Sequence, residues 1–149
     1  MTIPEAPSLP FVPGFLRSVL LADDVFSDLC GARCGTRAPS DVSSPFAIVQ
    51  GPGGFPIDAS AGAWSPLAQV NGWCPNGLGL DPEDIVWRIV TRAAGVLSRV
   101  RNASYGGARW TARVIDGPLP TPLDRSRGES QVLYGCLIRA ELKVHAGVE

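Results

Sequence analysis

The stretch that decides the fold is residues 81–101, DPEDIVWRIVTRAAGVLSRVR. Asp81 is a favoured N-cap, and Pro82 suits the first position of a helix. Glu83 and Asp84 place negative charge on the first turn, where the helix dipole stabilises it. The apolar residues that follow recur at helical spacing: Ile85, Val86, Ile89, Val90, Ala93, Val96, Leu97 and Val100. The stretch therefore predicts an amphipathic helix with one broad face to bury.

Segments on both sides of this helix predict the elements that cover it. Residues 11–22 have helical periodicity, and Asp23 and Asp24 open a short second turn that Gly31 can end. Strands are predicted at 46–50, 64–74, 108–115 and 131–145, with a further short segment of strand character at 34–37. The last strand is the clearest, because its even positions from 132 to 144 are almost all apolar. Long loops are expected at 51–63 and 116–130, where Gly and Pro are frequent.

This order of elements predicts an α+β fold. We expect an antiparallel or mixed sheet of about four strands, with two main helices packed on one face. The domain is expected to be single and to cover residues 11–149, since a chain of 149 residues is of ordinary one-domain size. Pro4, Pro7 and Pro10 predict an extended N-terminal arm at 1–10.

The composition argues against several classes of protein. The formal net charge is −1, whereas a dedicated nucleic-acid-binding domain is normally basic overall. No apolar stretch is long enough to span a membrane, and residues 1–10 lack the basic start of a signal peptide. We therefore expect no membrane partner, and we expect synthesis and folding in a cytoplasm.

Candidate residues for chemistry are few. Cys30 and Cys34 could open a zinc site with Cys74 and Cys136, which leaves a small cysteine-based metal- or ligand-binding module as one alternative. The chain has no second close pair of ligands, and in a reducing compartment cysteines are more often buried thiols. His145 is the only histidine and has no nucleophile motif beside it. The two acidic clusters, Asp23-Asp24 and Asp81/Glu83/Asp84, lie at the starts of helices, where capping explains them without catalysis. We therefore expect that the protein is not an enzyme and that it binds no cofactor.

One side of the main helix is unusual. Trp87 lies away from the apolar stripe, beside Thr91, Gly95 and Ser98. Glycine inside a helix costs about 1 kcal/mol relative to alanine, so it often has a packing reason. A tryptophan next to small residues suggests a subunit interface. The alternative is that the sheet edge or the helix at 11–22 covers this side.

Several stretches resemble one known family of virion proteins. The likeness begins with a helix and with residues 35–39 (GTRAP), 45–50 (PFAIVQ) and the pair Gly53-Gly54. It continues with a strand ending in Trp73, a helix containing Ala93-Ala94, a loop at 117–119 (GPL) with Asp124 and Arg127, and a final strand ending at 143–145 (KVH). In this order of elements the chain resembles the tail terminator proteins of long-tailed phages, particularly those that infect actinobacteria, over most of residues 11–146.

The resemblance implies a structural role. Family members are α+β subunits of a hexameric ring that caps the completed tail tube and stops further addition of tube subunits. The ring also presents a surface to the neck or head-completion proteins, and DNA only passes through its lumen. The protein is then expected in the tail-neck region of the virion, after assembly in the host cytoplasm. A neck or head-completion connector protein is the close alternative.

By analogy with the family, two groups of residues become candidate contact sites. Trp87, with Thr91, Gly95 and Ser98, is expected to meet the neighbouring subunit of the ring. The loops are expected to contact the major tail tube protein or the neck protein through Gly53, Gly54, Phe55, Asp124, Arg125 and Arg127. The two arginines are expected to pair with acidic residues of a partner.

Overall fold

A computed structural model describes residues 7–147 of the chain. The helices are α1 (Val12–Leu21), α2 (Asp24–Cys30) and α3 (Pro82–Leu97). The strands are β1 (Cys34–Gly35), β2 (Phe46–Gln50), β3 (Gly54–Asp58), β4 (Ala63–Pro75), β5 (Ala103–Tyr105), β6 (Ala108–Asp124) and β7 (Leu133–Ala146). Short 3₁₀ turns follow β3 at Ala59–Ala61 and precede β7 at Glu129–Gln131. No helix in the described residues is both long and apolar enough to cross a lipid bilayer.

The strands form one mixed sheet in the order β1-β2-β4-β7-β6-β5, with β3 paired to β4 beside β2. In the described part of the chain only β1 and β2 are parallel, and the other neighbouring strands are antiparallel. The α+β class is therefore confirmed. The expected strand count was wrong, since the sheet has seven strands in residues 7–147 rather than about four. The two main helices are α1 and α3, and the short turn predicted at Asp23-Asp24 forms α2.

The two stretches predicted as long loops, which are rich in proline and glycine, contain strands instead. The expected loop at 116–130 is mostly strand, because β6 continues to Asp124 and pairs with β7 through Leu119, Pro120 and Thr121. Proline lacks an N–H, so it is tolerated only where the N–H would point away from a neighbouring strand. Within residues 7–147, β5 covers only the start of β6, so the outer side of its second half is such a place. The expected loop at 51–63 likewise contains β3 and a 3₁₀ turn.

The three helices pack on one face of the sheet, as predicted. The inner stripe of α3 is buried through Val86, Ile89, Val90, Ala93 and Leu97. The even positions of β7 from Cys136 to Val144 point to the same core and are buried too. The side chain of Asp81 accepts the Glu83 N–H at 3.0 Å, so it caps α3 as predicted.

The helix α1 is fixed to the sheet by an aromatic cluster. The rings of Phe15 and Trp110 are stacked, with centroids 4.2 Å apart and an interplanar angle of 4°, and both side chains are fully buried. Tyr105 meets both rings edge-on, and its carbonyl accepts the Trp110 indole N–H at 3.0 Å. This cluster joins α1 to β5 and β6 at one end of the sheet.

The predicted N-terminal arm is described only from Pro7 onward. Residues 7–10 form no regular element, in keeping with their prolines, and Leu9 packs against the core. The rest of the predicted arm lies outside the described residues.

Candidate functional site

The outer side of α3 carries the four residues predicted as a subunit interface. All four residues are exposed to solvent: Trp87, Thr91, Gly95 and Ser98. The exposed fraction of Trp87 is 48%. The hydroxyl of Thr91 donates to the Trp87 carbonyl at 2.8 Å, and that of Ser98 donates to the Gly95 carbonyl at 2.9 Å. Because both hydroxyls are satisfied within the helix, the surface is smooth and carries one large aromatic side chain.

A groove runs beside Trp87, between α3 and the sheet. It has a volume of about 280 Å³ and is lined by Glu83, Val86, Trp87, Pro120, Thr121, Leu123, Tyr134, Gly135 and Cys136. Leu123 is 37% exposed, so the groove presents apolar surface from both a helix and a strand. The sheet edge thus flanks Trp87 without covering it. The sequence did not identify the wall formed by β6, because residues 116–130 were predicted to be a loop.

The predicted contact residues Gly53, Gly54 and Phe55 lie at the start of a β-hairpin formed by β3 and β4. Every residue of β3 is exposed, including Phe55 at 71% and Ile57 at 62%. Gly54 has a structural reason to be glycine, since its φ is +131° and an added Cβ would collide with the backbone at Ser65 and Pro66. The hairpin therefore offers two apolar side chains on a strand that pairs with β4.

Among the predicted contact residues, Asp124 ends β6, and Arg125 and Arg127 follow it in the turn between β6 and β7. Arg127 pairs with Asp124 at 3.2 Å and Arg125 with Glu129 at 3.1 Å, so both arginines have partners within the turn. The hydroxyl and N–H of Ser126 and the charge of Arg127 lower the pKa of Asp124. An acidic partner protein would therefore have to compete with these local carboxylates.

The structure places the hairpin and the turn at opposite ends of the sheet. β3 pairs with β4 at Ala63–Pro66, whereas the turn follows the pairing of Asp124 with Leu133, which lies opposite Pro75. The path along β4 from Ala63 to Pro75 covers roughly 40 Å at the normal rise of a strand. The two predicted contact groups therefore define two separate surfaces.

The cysteines have the properties of core residues. All four are buried and free, and burial raises the pKa of each thiol, to about 12 for Cys34 and to about 11 for Cys74. A metal prefers the thiolate, which burial disfavours here. Within residues 7–147, no three His, Cys, Asp or Glu side chains converge in an arrangement that could hold a metal ion.

The acidic pairs at the helix starts act in capping, as predicted. The Asp23 carboxylate accepts the Phe26 N–H at 2.9 Å and is bound by the Arg92 guanidinium through two contacts of 2.7 and 2.8 Å. The hydrogen bonds from Arg92 and Phe26 lower the pKa of Asp23 to about 2. Asp23 thus ties α2 to α3, and His145 lies exposed on β7.

Comparisons with known proteins add no assignment. The profiles of known protein families give no match to the chain, and none of the curated proteins compared is significantly similar to it.

Proposed function

We propose that this chain is the subunit of a phage tail terminator ring. The ring caps the tail tube, ends its polymerisation and joins it to the neck or head-completion proteins. The observation that carries the proposal is the position of the two exposed contact segments, the hairpin with Phe55 and the turn at 124–129, at opposite ends of one sheet. A subunit that must meet a tube on one side and a neck on the other needs two such surfaces.

The lateral contacts of the proposed ring are assigned to the groove at Trp87. A ring is closed by heterologous contacts, in which one surface meets a different surface of the next copy. Buried tryptophans in pockets are frequent anchors of protein interfaces. Trp87 and Leu123 remain exposed in the single chain, and both would be covered by a neighbour seated on the groove. The proposed assembly is a hexamer of this one chain.

This function is structural and includes no catalysis or cofactor. The chain would act in the tail-neck region of the virion after assembly in a host cytoplasm, and DNA would pass through the lumen of the ring. The metal-binding alternative gains no support from the described cysteines, since all four are buried thiols.

The oligomeric state tests the lateral contact. We expect native mass spectrometry of the purified protein, alone or with tail tubes, to show a ring, and we expect Trp87→Ala to shift the population to monomers. The matched control is Phe11→Ala, which removes another exposed aromatic side chain, 68% exposed, far from the groove. A wild-type protein that stays monomeric even with tail tubes would count against the terminator function. Unchanged rings of Trp87→Ala would refute the groove as the interface.

Binding to the tail tube tests the axial contacts and separates the terminator from a neck connector. We expect the wild-type ring to cosediment with purified tail tubes and to stop their elongation in vitro. Phe55→Ser should weaken this binding, while Val25→Ser, which changes an exposed apolar residue on α2 outside the hairpin, should not. A ring that ignores tubes and binds only neck proteins would identify the chain as a connector.

A further inference from the structure

The face of the sheet opposite the helices is basic over one half. Within residues 7–147, its cationic side chains include Arg101, Arg113, Arg139 and Lys143, and its carboxylates are Asp116 and Glu141. The strand register brings them together, since Arg113 lies opposite Glu141, Thr111 opposite Lys143 and Asp116 opposite Arg139. We call this surface the basic face. It contrasts with the net charge of −1 for the whole chain.

The carboxylates on the basic face neutralise only part of its charge. Arg113 pairs with Glu141 at 3.3 Å while 74% of its side chain stays exposed, and Arg139 pairs with Asp116 at 3.4 Å. Among the residues that the structure describes, no carboxylate lies within 4.0 Å of the Lys143 ammonium or the Arg101 guanidinium. An external anion can therefore gain attraction here without displacing every local partner.

Three of these cations surround a shallow depression. It has a volume of about 370 Å³ and is lined by Arg101, Thr111, Ala112, Arg113, Glu141 and Lys143. The guanidinium of Arg101 is held in position because it donates to the carbonyls of Val100 and Ala112 at 3.0 and 3.1 Å. An arginine held by two carbonyls, beside two exposed cations, is suited to bind phosphate oxygens.

We propose that the basic face binds the sugar-phosphate backbone of double-stranded DNA without sequence preference. Among residues 7–147, those that line the depression include no aromatic ring on which an unpaired base could stack, which disfavours single strands. Contacts from lysine and arginine to phosphate suffice for duplex binding. The choice of DNA over other polyanions rests on the proposed function, and it places the basic face toward the lumen of the ring.

Salt dependence of DNA binding gives the sharpest test. Each neutralised phosphate contributes a slope of about −0.9 to the logarithm of affinity against the logarithm of salt concentration. With Arg101, Arg113 and Lys143 of one subunit each contacting one phosphate, affinity should fall about 40-fold between about 50 and about 200 mM salt, and it should fall further if several subunits contact the same duplex. The measurement is fluorescence anisotropy of a labelled duplex of mixed sequence, titrated with the assembled protein.

The variant Arg113→Gln/Lys143→Gln should weaken binding and reduce the magnitude of the slope by about 1.8 for each subunit that contacts the duplex. The matched control is Arg37→Gln/Arg88→Gln, which removes the same charge at two exposed positions away from the basic face. Equal losses in both double variants would overturn the proposal, because they would show an effect of net charge alone.

Two further results would also overturn the inference. One is equally tight binding of polyglutamate, which would identify an acidic protein as the partner. The other is a wild-type ring that fails to bind duplex DNA. Sizing the same samples keeps the two proposals apart, since a ring that does not bind DNA contradicts only the basic face, whereas a monomer contradicts the tail terminator.

Discussion

The stacked pair of Phe15 and Trp110 allows a quantitative test of how α1 is held to the sheet. Phe15 is fully buried and its ring stacks on the indole at 4.2 Å, whereas Phe11, one helical turn earlier, is 68% exposed. Replacing a buried phenylalanine by alanine costs about 3–5 kcal/mol, a range that includes the lost transfer energy and the cavity left behind. We therefore expect Phe15→Ala to destabilise the protein by about 4 kcal/mol, and Phe11→Ala by less than about 0.5 kcal/mol.

Urea unfolding followed by circular dichroism measures this difference. The midpoint should fall for Phe15→Ala at an unchanged m value, since the surface exposed on unfolding stays nearly the same. The melting temperature should fall by roughly 8–16 °C for a domain of this size. All variants must be compared at one protein concentration, because assembly would add to apparent stability. If the two alanine variants differ by less than about 1 kcal/mol, α1 does not depend on this stack and the packing argument is wrong.

Three further outcomes follow from single contacts. Because the pKa of Asp23 is lowered to about 2, its ionised form stabilises the fold above the ordinary pKa of 3.8, and this contribution is lost as the pH falls through about 2. The stability difference between wild type and Asp23→Asn, measured by urea unfolding, should therefore shrink over that range; a constant difference would contradict it. Gly135→Ala should destabilise the protein by about 1–3 kcal/mol, because the added Cβ would collide with the Trp73 ring. Gly95→Ala should stabilise the monomer by about 1 kcal/mol in thermal melts, because the space around Gly95 is open and alanine favours the helix. Cys34 should react with a thiol reagent only after unfolding, because burial raises its pKa to about 12; fast labelling of the folded protein would refute its burial.

Local signals predicted the elements whose periodicity is uninterrupted. The apolar stripe of α3 and the alternation of buried and exposed residues along β7 each extend over many residues, so a single residue that departs from the pattern does not hide it. The cap at Asp81 was equally visible, because capping depends on a few adjacent residues. The second half of β6 was missed because prolines favour loops when strand edges are not known in advance.

The candidate surfaces were predictable only in part, for a related reason. Trp87 could be selected from the sequence because it departs from the apolar pattern of its own helix. Leu123 and Tyr134, which complete the groove, could not, because they belong to strands whose register is set by tertiary pairing. The basic face was invisible in the sequence, since Arg101, Arg113 and Lys143 become neighbours only when β6 and β7 pair.

The unpaired outer side of β6 affects whether further strands can add to this edge of the sheet. An unpaired strand normally offers alternating N–H and carbonyl groups, on which further copies can polymerise without limit. In the second half of β6, Pro118, Pro120 and Pro122 lack N–H groups, and the register with β7 shifts both before Leu119 and after Thr121. Such an edge is a poor template for the addition of a further strand, so growth of the sheet from this side is disfavoured.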